Sequence, residues 1–433
     1  MKSKKTRHMQ PAAQIASILH RIYAGRLTTS SGGNISILDK HGNIWITPAA
    51  IDKGSITEKD IVCIQKDGKT SGIHRPSSEL PFHRAIYTAR PDIRAIIHAH
   101  SPALVSFSIV HQVPDTTITP HVYTTCGIPG YASYELPGSS ALGDTIASVF
   151  NRQRESRAII LENHGVVVGG TDLVDSFQCF ETLENAACIL INARKIGKPV
   201  QLTNKQLRES LHHPDNESGV NQRHRCSYGE RKHRKEMVRF VRRACSQGLM
   251  TSTQGTLSVR LGANDFLITP HSVSRREIQP GDILPVRNGK LLKGKDTHGF
   301  IQLHNEIYRN CANVNAIFQA QPPNLMAFAI TGESFDTRTI PESWIFLQDI
   351  PYIPPESLYK RYEVASRLFS TDAPAAFIMN DSFLMTGCSI MDAFDKLEIA
   401  EFTAQSIIMA KDMGTIIPIT DEQIDELRIK FLS

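Results

Sequence analysis

Apolar residues recur at steps of three and four near the start of the chain, at Ile15, Ile18, Leu19, Ile22 and Tyr23. The same spacing returns at Met237, Val238, Val241 and Ala244. Such a stripe predicts a helix with one buried face. Gly- and Ser-rich turns follow the first stripe, and short runs over residues 35–38 and 44–47 predict strands. Residues 81–87 suit a helix. Residues 95–99 form an apolar run leading into two histidines and predict a buried strand, and residues 157–161 predict another. The closing pattern over about 173–193 predicts a long helix. Strands and helices mixed in this way give an α/β layer arrangement.

The pattern occurs twice. Ile46-Thr47-Pro48 returns as Ile268-Thr269-Pro270, a shift of 222 residues (268 less 46). Leu27, Thr29 and Ser30 return as Leu249, Thr251 and Ser252 at the same shift. Residues 103–109 match 324–330, and Asp175, Phe177 and Glu181 match Asp392, Phe394 and Glu398. One period of this length means two copies of a whole domain, because solenoid units are far shorter. Between the copies, residues 201–233 are polar and poor in large apolar side chains. They predict a linker with a short helix around 204–211.

Composition narrows the class. With 433 residues, 41% hydrophobic and 21% charged, the chain can build real cores. The net charge of +5 is mild. The excess lies largely in residues 1–7 and 223–235, with no nucleic-acid reader motif beside it, so a solvated tail and linker are expected and no nucleic-acid partner. The eight cysteines form no CxxC pair, which favours reduced thiols. No stretch reaches the roughly 18 uncharged apolar residues of a membrane helix, and no apolar leader segment follows the basic start. The expectation is a cytoplasmic protein without a membrane partner.

The chemistry separates the copies. His98 and His100 are two apart on a predicted strand, so their side chains share a face. His164 lies just past another predicted strand. Three histidines with an open position are the donor set of a catalytic Zn2+, and other divalent transition metals also accept imidazole. An isolated His-x-His is weak evidence for a metal. Here, however, the frames around the histidines persist in the second copy while the histidines become Gln319, Gln321 and Asp381 together. Glu79 becomes Phe300 in the same copy, although His83 is kept as His304. This coordinated loss points to Glu79 as a proton-moving carboxylate beside the metal rather than a helix-start acid capped by Ser77 or Ser78. It points to His83 as a structural residue packed on its helix.

GGNIS at 32–36, ITP at 46–48, PSSE at 76–79, HAH at 98–100 and ENHG at 162–165 resemble, in order and spacing, the class II aldolase/adducin family. The resemblance covers about residues 10–197, and residues 234–413 look like a degenerate member. It implies two tandem class II aldolase-like α/β/α domains, each a central, mainly antiparallel sheet covered by helices. The expected division is a domain over 10–200 with its metal site intact, a linker over 201–233, and a domain over 234–433 lacking the ligands. The resemblance carries the metal ligands onto His98, His100 and His164 and the acid/base carboxylate onto Glu79. It places the phosphate pocket on Ser31, Gly33, Asn34, Ser77 and Ser78, an uncharged nest of N–H groups and hydroxyls. The aldolases also use a tyrosine acid from a neighbouring subunit. Tyr123 falls in the corresponding stretch, with Tyr131 and Tyr134 nearby. The chain departs from the family at Ala49-Ala50, where a small hydroxyl residue followed by Gly is common. In the second copy His298 and Gly299 replace the serine pair.

The implied activity is a zinc-dependent aldolase-type lyase that cleaves a small ketose, a ketose 1-phosphate, through a metal-stabilised enediolate. The alternatives on the same site are a sugar-phosphate epimerase, a dehydratase and a sugar-acid decarboxylase. A non-catalytic adducin-like binding protein is the alternative of a different class. Family members assemble as four-fold tetramers, so a fused pair is expected to form a homodimer, a pseudo-tetramer of domains.

Overall fold

A computed structural model describes Thr6 and residues 9–211, 226–291, 300–358, 361–370 and 372–432. Most of the N-terminal basic run, residues 212–225 of the polar join, and the His298-Gly299 pair lie outside the described residues. The chain forms two compact units. The first comprises Ser3–Thr116 and Val122–Cys188, and the second comprises Met1–Lys2, Thr117–His121 and Ile189–Ser433.

In chain order the first half contains α1 (Pro11–Ala24), β1 (Asn34–Leu38), β2 (Ile44–Ile46), β3 (Val62–Ile64), β4 (Thr70–Ser71), α2 (Leu80–Ala89) and β5 (Ala95–Ala99). Then come α3 (Pro102–Ile109), α4 (Pro120–Cys126), β6 (Gly130–Ala132), α5 (Ser140–Arg152), β7 (Ala158–Leu161), β8 (Gly165–Gly170) and α6 (Leu173–Ile196). The eight strands form one sheet in the order β4-β3-β2-β1-β5-β8-β7-β6. Every neighbouring pair is antiparallel except β6 with β7.

Local sequence explains the elements around the site. Pro81 stands in the first turn of α2, where its missing N–H costs nothing. Phe82, His83, Ile86 and Tyr87 make the buried face of that helix. Ser139 caps α5 by accepting the Leu142 N–H. Phe82 and Ile86 then join Leu142, Ile146 and Phe150 of α5 against Ile46, Val62, Ile96, Ile159 and Val167 of the sheet. Each such side chain contributes about 1.5–3 kcal/mol on burial. All five residues of β5 are buried, as the apolar run predicts.

The second half repeats the architecture after a short helix, α7 (Asn204–Leu211), in the polar join. It contains α8 (Tyr228–Ser246), β9 (Thr256–Arg260), β10 (Phe266–Ile268), β11 (Leu284–Arg287), β12 (Lys290–Leu291), α9 (Ile301–Asn310), β13 (Ala316–Ala320) and α10 (Pro323–Thr331). It continues with α11 (Pro341–Leu347), β14 (Tyr352–Ile353), α12 (Tyr362–Ser366), β15 (Ala375–Ile378), β16 (Ser382–Gly387), α13 (Ile390–Lys411) and α14 (Asp421–Phe431). Its sheet order, β12-β11-β10-β9-β13-β16-β15-β14, repeats the first position by position.

One clamp is common to both units. Glu184 on α6 accepts the Ala103 and Leu104 N–H groups and the Ser101 hydroxyl. Glu401 on α13 accepts the Asn324 and Leu325 N–H groups and the Asn324 amide. A carboxylate at each helix start satisfies donors that the helix cannot.

Candidate active site

β5 and β1 run antiparallel with His98 directly opposite Asn34. β8 lies on the other side of β5, and the tight β7–β8 connection holds His164, so the three histidines converge. One ligand nitrogen from each of His98, His100 and His164 lies within 4.8 Å of the others. The Nε2 atoms of His98 and His100 are 3.0 Å apart. The Nδ1–H of His98 donates to the Val166 carbonyl at 3.0 Å, which leaves its Nε2 lone pair free. Burial pushes all three imidazoles below the ordinary histidine range, His98 furthest. Three converging neutral imidazoles are a donor set that fits a divalent transition metal.

Two glycines permit this convergence. A Cβ on Gly33, whose φ is +68°, would stand 2.5 Å from the His98 carbonyl oxygen. A Cβ on Gly165 would stand 2.6 Å from the Ala99 carbonyl oxygen and 2.9 Å from the His100 ring.

Glu79 closes the group. Its Oε2 lies 3.3 Å from His98 Nε2 and its Oε1 lies 3.4 Å from His164 Nε2. Glu79 precedes α2, but its side chain makes no helix-cap hydrogen bond. Instead the Ser77 hydroxyl accepts the Glu79 N–H at 3.3 Å. Burial raises the carboxyl above its ordinary range, opposed by the Asn34 amide and by His164.

A buried chain of hydrogen bonds ends on that carboxylate. Asn34 Nδ2 donates to Glu79 Oε2 at 2.6 Å, so Asn34 Oδ1 is the acceptor facing His83 Nε2 at 2.5 Å. His83 therefore carries its proton on Nε2, and Nδ1 accepts from the Ser36 hydroxyl at 2.7 Å. Tyr87 lies 2.7 Å beyond Ser36. Burial holds His83 neutral, its pKa pushed down to about 3. This network was not legible in the sequence. Asn34 is an expected residue of the phosphate pocket, and its side chain bridges Glu79 and His83.

Of the remaining expected residues, Ser31 lies in the turn before β1, and Ser77 and Ser78 in the loop before α2. Ser31 and Ser78 are exposed, and Ser77 is buried. Backbone bonds from Ser77 N to Thr47 O, from Ala49 N to Arg75 O and from Thr47 N to Ile35 O draw residues 47–49 and 75–77 together beside β1. Tyr123 is half-buried on α4, and among the described residues no side-chain hydrogen bond or ring contact joins it to the histidines. Tyr131 is nearer the ENHG turn. Its ring lies 6.3 Å from that of His111, whose Nε2 bonds Asn163 Oδ1 at 2.9 Å.

In the second unit the matching positions hold no such donor set. Tyr308, Ser258 and His304 repeat the buried chain at 2.7 and 2.8 Å. There His304 Nε2 meets Gln319 Oε1 at 3.3 Å, and Gln319 donates onward to Ser382 at 2.8 Å and Asp381 at 3.4 Å. An amide and a carboxyl occupy the places of His98 and His164, and Phe300 stands in place of Glu79.

The family description "Class II Aldolase and Adducin N-terminal domain" matches residues 13–191 and again 235–408. The chain is 30% identical over 199 residues to a 5-deoxy-D-ribulose 1-phosphate aldolase of Bacillus thuringiensis, covering 45% of this chain and 90% of that one. It is 35% identical over 175 residues to an L-fuculose phosphate aldolase of Methanocaldococcus jannaschii, covering 40% and 92%. It is 31% identical over 169 residues to a 3-oxo-tetronate 4-phosphate decarboxylase of Haemophilus influenzae, covering 38% and 79%. Among solved structures, an L-fuculose 1-phosphate aldolase aligns at 29% identity over 46% of this chain and 93% of that one, with a TM-score of 0.42.

Proposed function

The chain belongs to the class II aldolase and adducin family and is a metal-dependent lyase of that family; from that premise we propose that its first half cleaves a small ketose 1-phosphate. His98, His100 and His164 hold the ion, which we assign as zinc. When bound there, the ion supplies Lewis-acid stabilisation of negative charge on substrate oxygens. Glu79 moves the proton at the carbon released by cleavage. The Asn34 amide fixes one oxygen of Glu79, and the other lies 3.4 Å from His164 Nε2. Gly33, Ser31, Ser77 and Ser78 present N–H groups and hydroxyls to the phosphate. Tyr123 is the candidate proton donor to a neighbouring subunit's site.

One observation carries this reading: a buried carboxylate stands 3.3 and 3.4 Å from two of three converging imidazoles. In the second unit all four groups are replaced. The same proposal includes a domain division at 10–200, 201–233 and 234–433, a homodimer supplying four domain positions, and a cytoplasmic location. Among the described residues no helix is long and apolar enough to cross a membrane.

Decarboxylation of a sugar-acid phosphate is the second reading. It is favoured by the 31% identity to a 3-oxo-tetronate 4-phosphate decarboxylase. The test is product analysis of metal-loaded protein given a panel of ketose 1-phosphates and of 3-oxo sugar-acid phosphates. Dihydroxyacetone phosphate with an aldehyde supports aldol cleavage. Carbon dioxide supports the second reading, and an untouched panel contradicts both.

A further inference from the structure

Lys53 is a buried cation with no carboxylate beside it. Its exposure is 2%, and its Nζ makes one hydrogen bond among the described residues, to the Pro48 carbonyl at 3.1 Å. Burial is the one influence on its pKa, and it pushes the amine down. An ammonium withdrawn from water without a counter-charge is costly, and Nζ has donors to spare beyond the single carbonyl.

Its position explains what the cost serves. The Lys53 backbone N–H bonds the Ser30 carbonyl at 2.8 Å, which ties it to the turn carrying Ser31 and Gly33. Its Nζ reaches Pro48, which forms a β-bridge with Pro76, the residue before Ser77 and Ser78. Lys53 is thus tied directly to the turn before Ser31 and Gly33 and, through Pro48 and its bridge to Pro76, indirectly to the loop carrying Ser77 and Ser78. The anion pocket lacks a hydroxyl at Ala49, and Ala50 keeps a left-handed φ of 53° that ordinarily belongs to glycine.

The second unit shows the same position put to another use. Arg275 stands there, 222 residues on (275 less 53). Its guanidinium donates to the carbonyls of Gly255 at 2.7 Å, Val273 at 2.6 Å and His271 at 3.1 Å. The arginine is tied into the backbone of its loop, whereas the lysine meets one carbonyl.

We propose that Lys53 is a substrate-binding residue that supplies the positive charge of the anion pocket, pairing with the phosphate or carboxylate end of the substrate. This rests on the reading of the first half as an enzyme of small anionic sugars. It adds a residue and a charge to a pocket otherwise built from neutral donors. The bound oxyanion neutralises the buried ammonium, and the ammonium replaces the donor missing at Ala49.

The experiment is calorimetric titration of the full metal-loaded chain with inorganic phosphate and, separately, with acetate, using wild type, Lys53→Met and Lys53→Gln. Melting temperatures are measured without added anion. Loss of charge-assisted hydrogen bonds corresponds to roughly 10- to 100-fold weaker binding. The expected result is that loss of phosphate or acetate affinity in both variants, with a melting temperature unchanged or raised because a buried unpaired charge is gone. The anion whose affinity falls identifies the substrate end. Wild-type affinity retained by both variants overturns the proposal, as does a wild type that binds neither anion. A lowered melting temperature with unchanged affinity assigns Lys53 to the fold and also overturns it. Wild type that binds phosphate through Lys53 yet processes no sugar phosphate would sink the lyase reading and leave the anion site standing.

Discussion

The two units share a sheet order, a helix-start clamp and a buried Tyr-Ser-His chain, and they differ where chemistry would occur. In the first unit the chain passes from His83 through Asn34 to Glu79. In the second, Thr256 stands at the Asn34 position and His304 turns to Gln319. The shared part holds helix to sheet in both units, so it is a requirement of the fold. The divergent part begins one residue later, at the side chain opposite the His98 or Gln319 position. A domain can therefore lose its donor set while keeping its core, because ligands and core occupy different residues of the same strand. On β5, Ile96 enters the core while His98 faces the site, and on β13 Ile317 and Gln319 are both buried.

The largest test of this contrast is to break the first unit alone. His164→Ala should lower metal affinity by more than roughly 100-fold and remove activity, measured by equilibrium dialysis and turnover. Gln319→Ala in the second unit should change neither. If both substitutions impair turnover equally, the division of labour is wrong.

Glu79→Gln is the next in size. It keeps the Asn34 hydrogen bond in outline but cannot exchange a proton. Turnover should fall on the order of 10²- to 10⁴-fold with metal content unchanged. Loss of metal along with turnover would make Glu79 a ligand or scaffold rather than an acid/base group.

The third test uses pH. Asp381, at the His164 position, has a pKa pushed up to about 6 by burial, opposed by hydrogen bonds from Ser382 and Gln319. Its folded pKa exceeds its unfolded value of about 3.9. Ionisation therefore weakens the fold as pH rises from about 4 through 6, and the deficit persists above that. Asp381→Asn should stabilise the protein by on the order of 2 kcal/mol at pH 7.5 and by little at pH 4, read from denaturant midpoints at the two values. His83 acts in the opposite sense. Its folded pKa of about 3 lies below its unfolded value, so its contribution is full above the unfolded pKa of about 6.5 and fades as pH falls toward 3. An Asp381→Asn effect that grows on acidification would contradict the burial argument.

The smallest effect concerns the anion loop. Ala50 holds a positive φ, whereas Ser272 at the matching position does not. Ala50→Gly should relieve that strain and stabilise the first unit by up to about 1 kcal/mol, with no counterpart from Ser272→Gly. Differential scanning calorimetry of the two variants separates them.

Much of this was legible in the sequence, for identifiable reasons. The run at residues 95–99 is all apolar up to a histidine, and it forms a fully buried strand. The polar join contains its short helix, Asn204–Leu211. The internal copy served as a control for Glu79 and the three histidines, because their replacement could be seen beside unchanged neighbours. Strands β3, β4 and β6 were not read; two or three residues carry little period, and of the strands that short in the first half only β2 was expected. The role of the Asn34 side chain was hidden too, because it depends on a helix residue 49 positions away. Lys53 gave no signal at all. A lysine in a polar turn normally faces water, and only the packing of two loops around it reveals otherwise.

On this reading the first unit binds metal and the second cannot. Elemental analysis of the purified full chain after saturation with zinc and removal of excess tests it most directly, with wild type beside His98→Ala. About one ion per chain is expected in wild type, held by the three-histidine set, and none in the variant. About two ions per wild-type chain, none at all, or an ion that survives His98→Ala would contradict it.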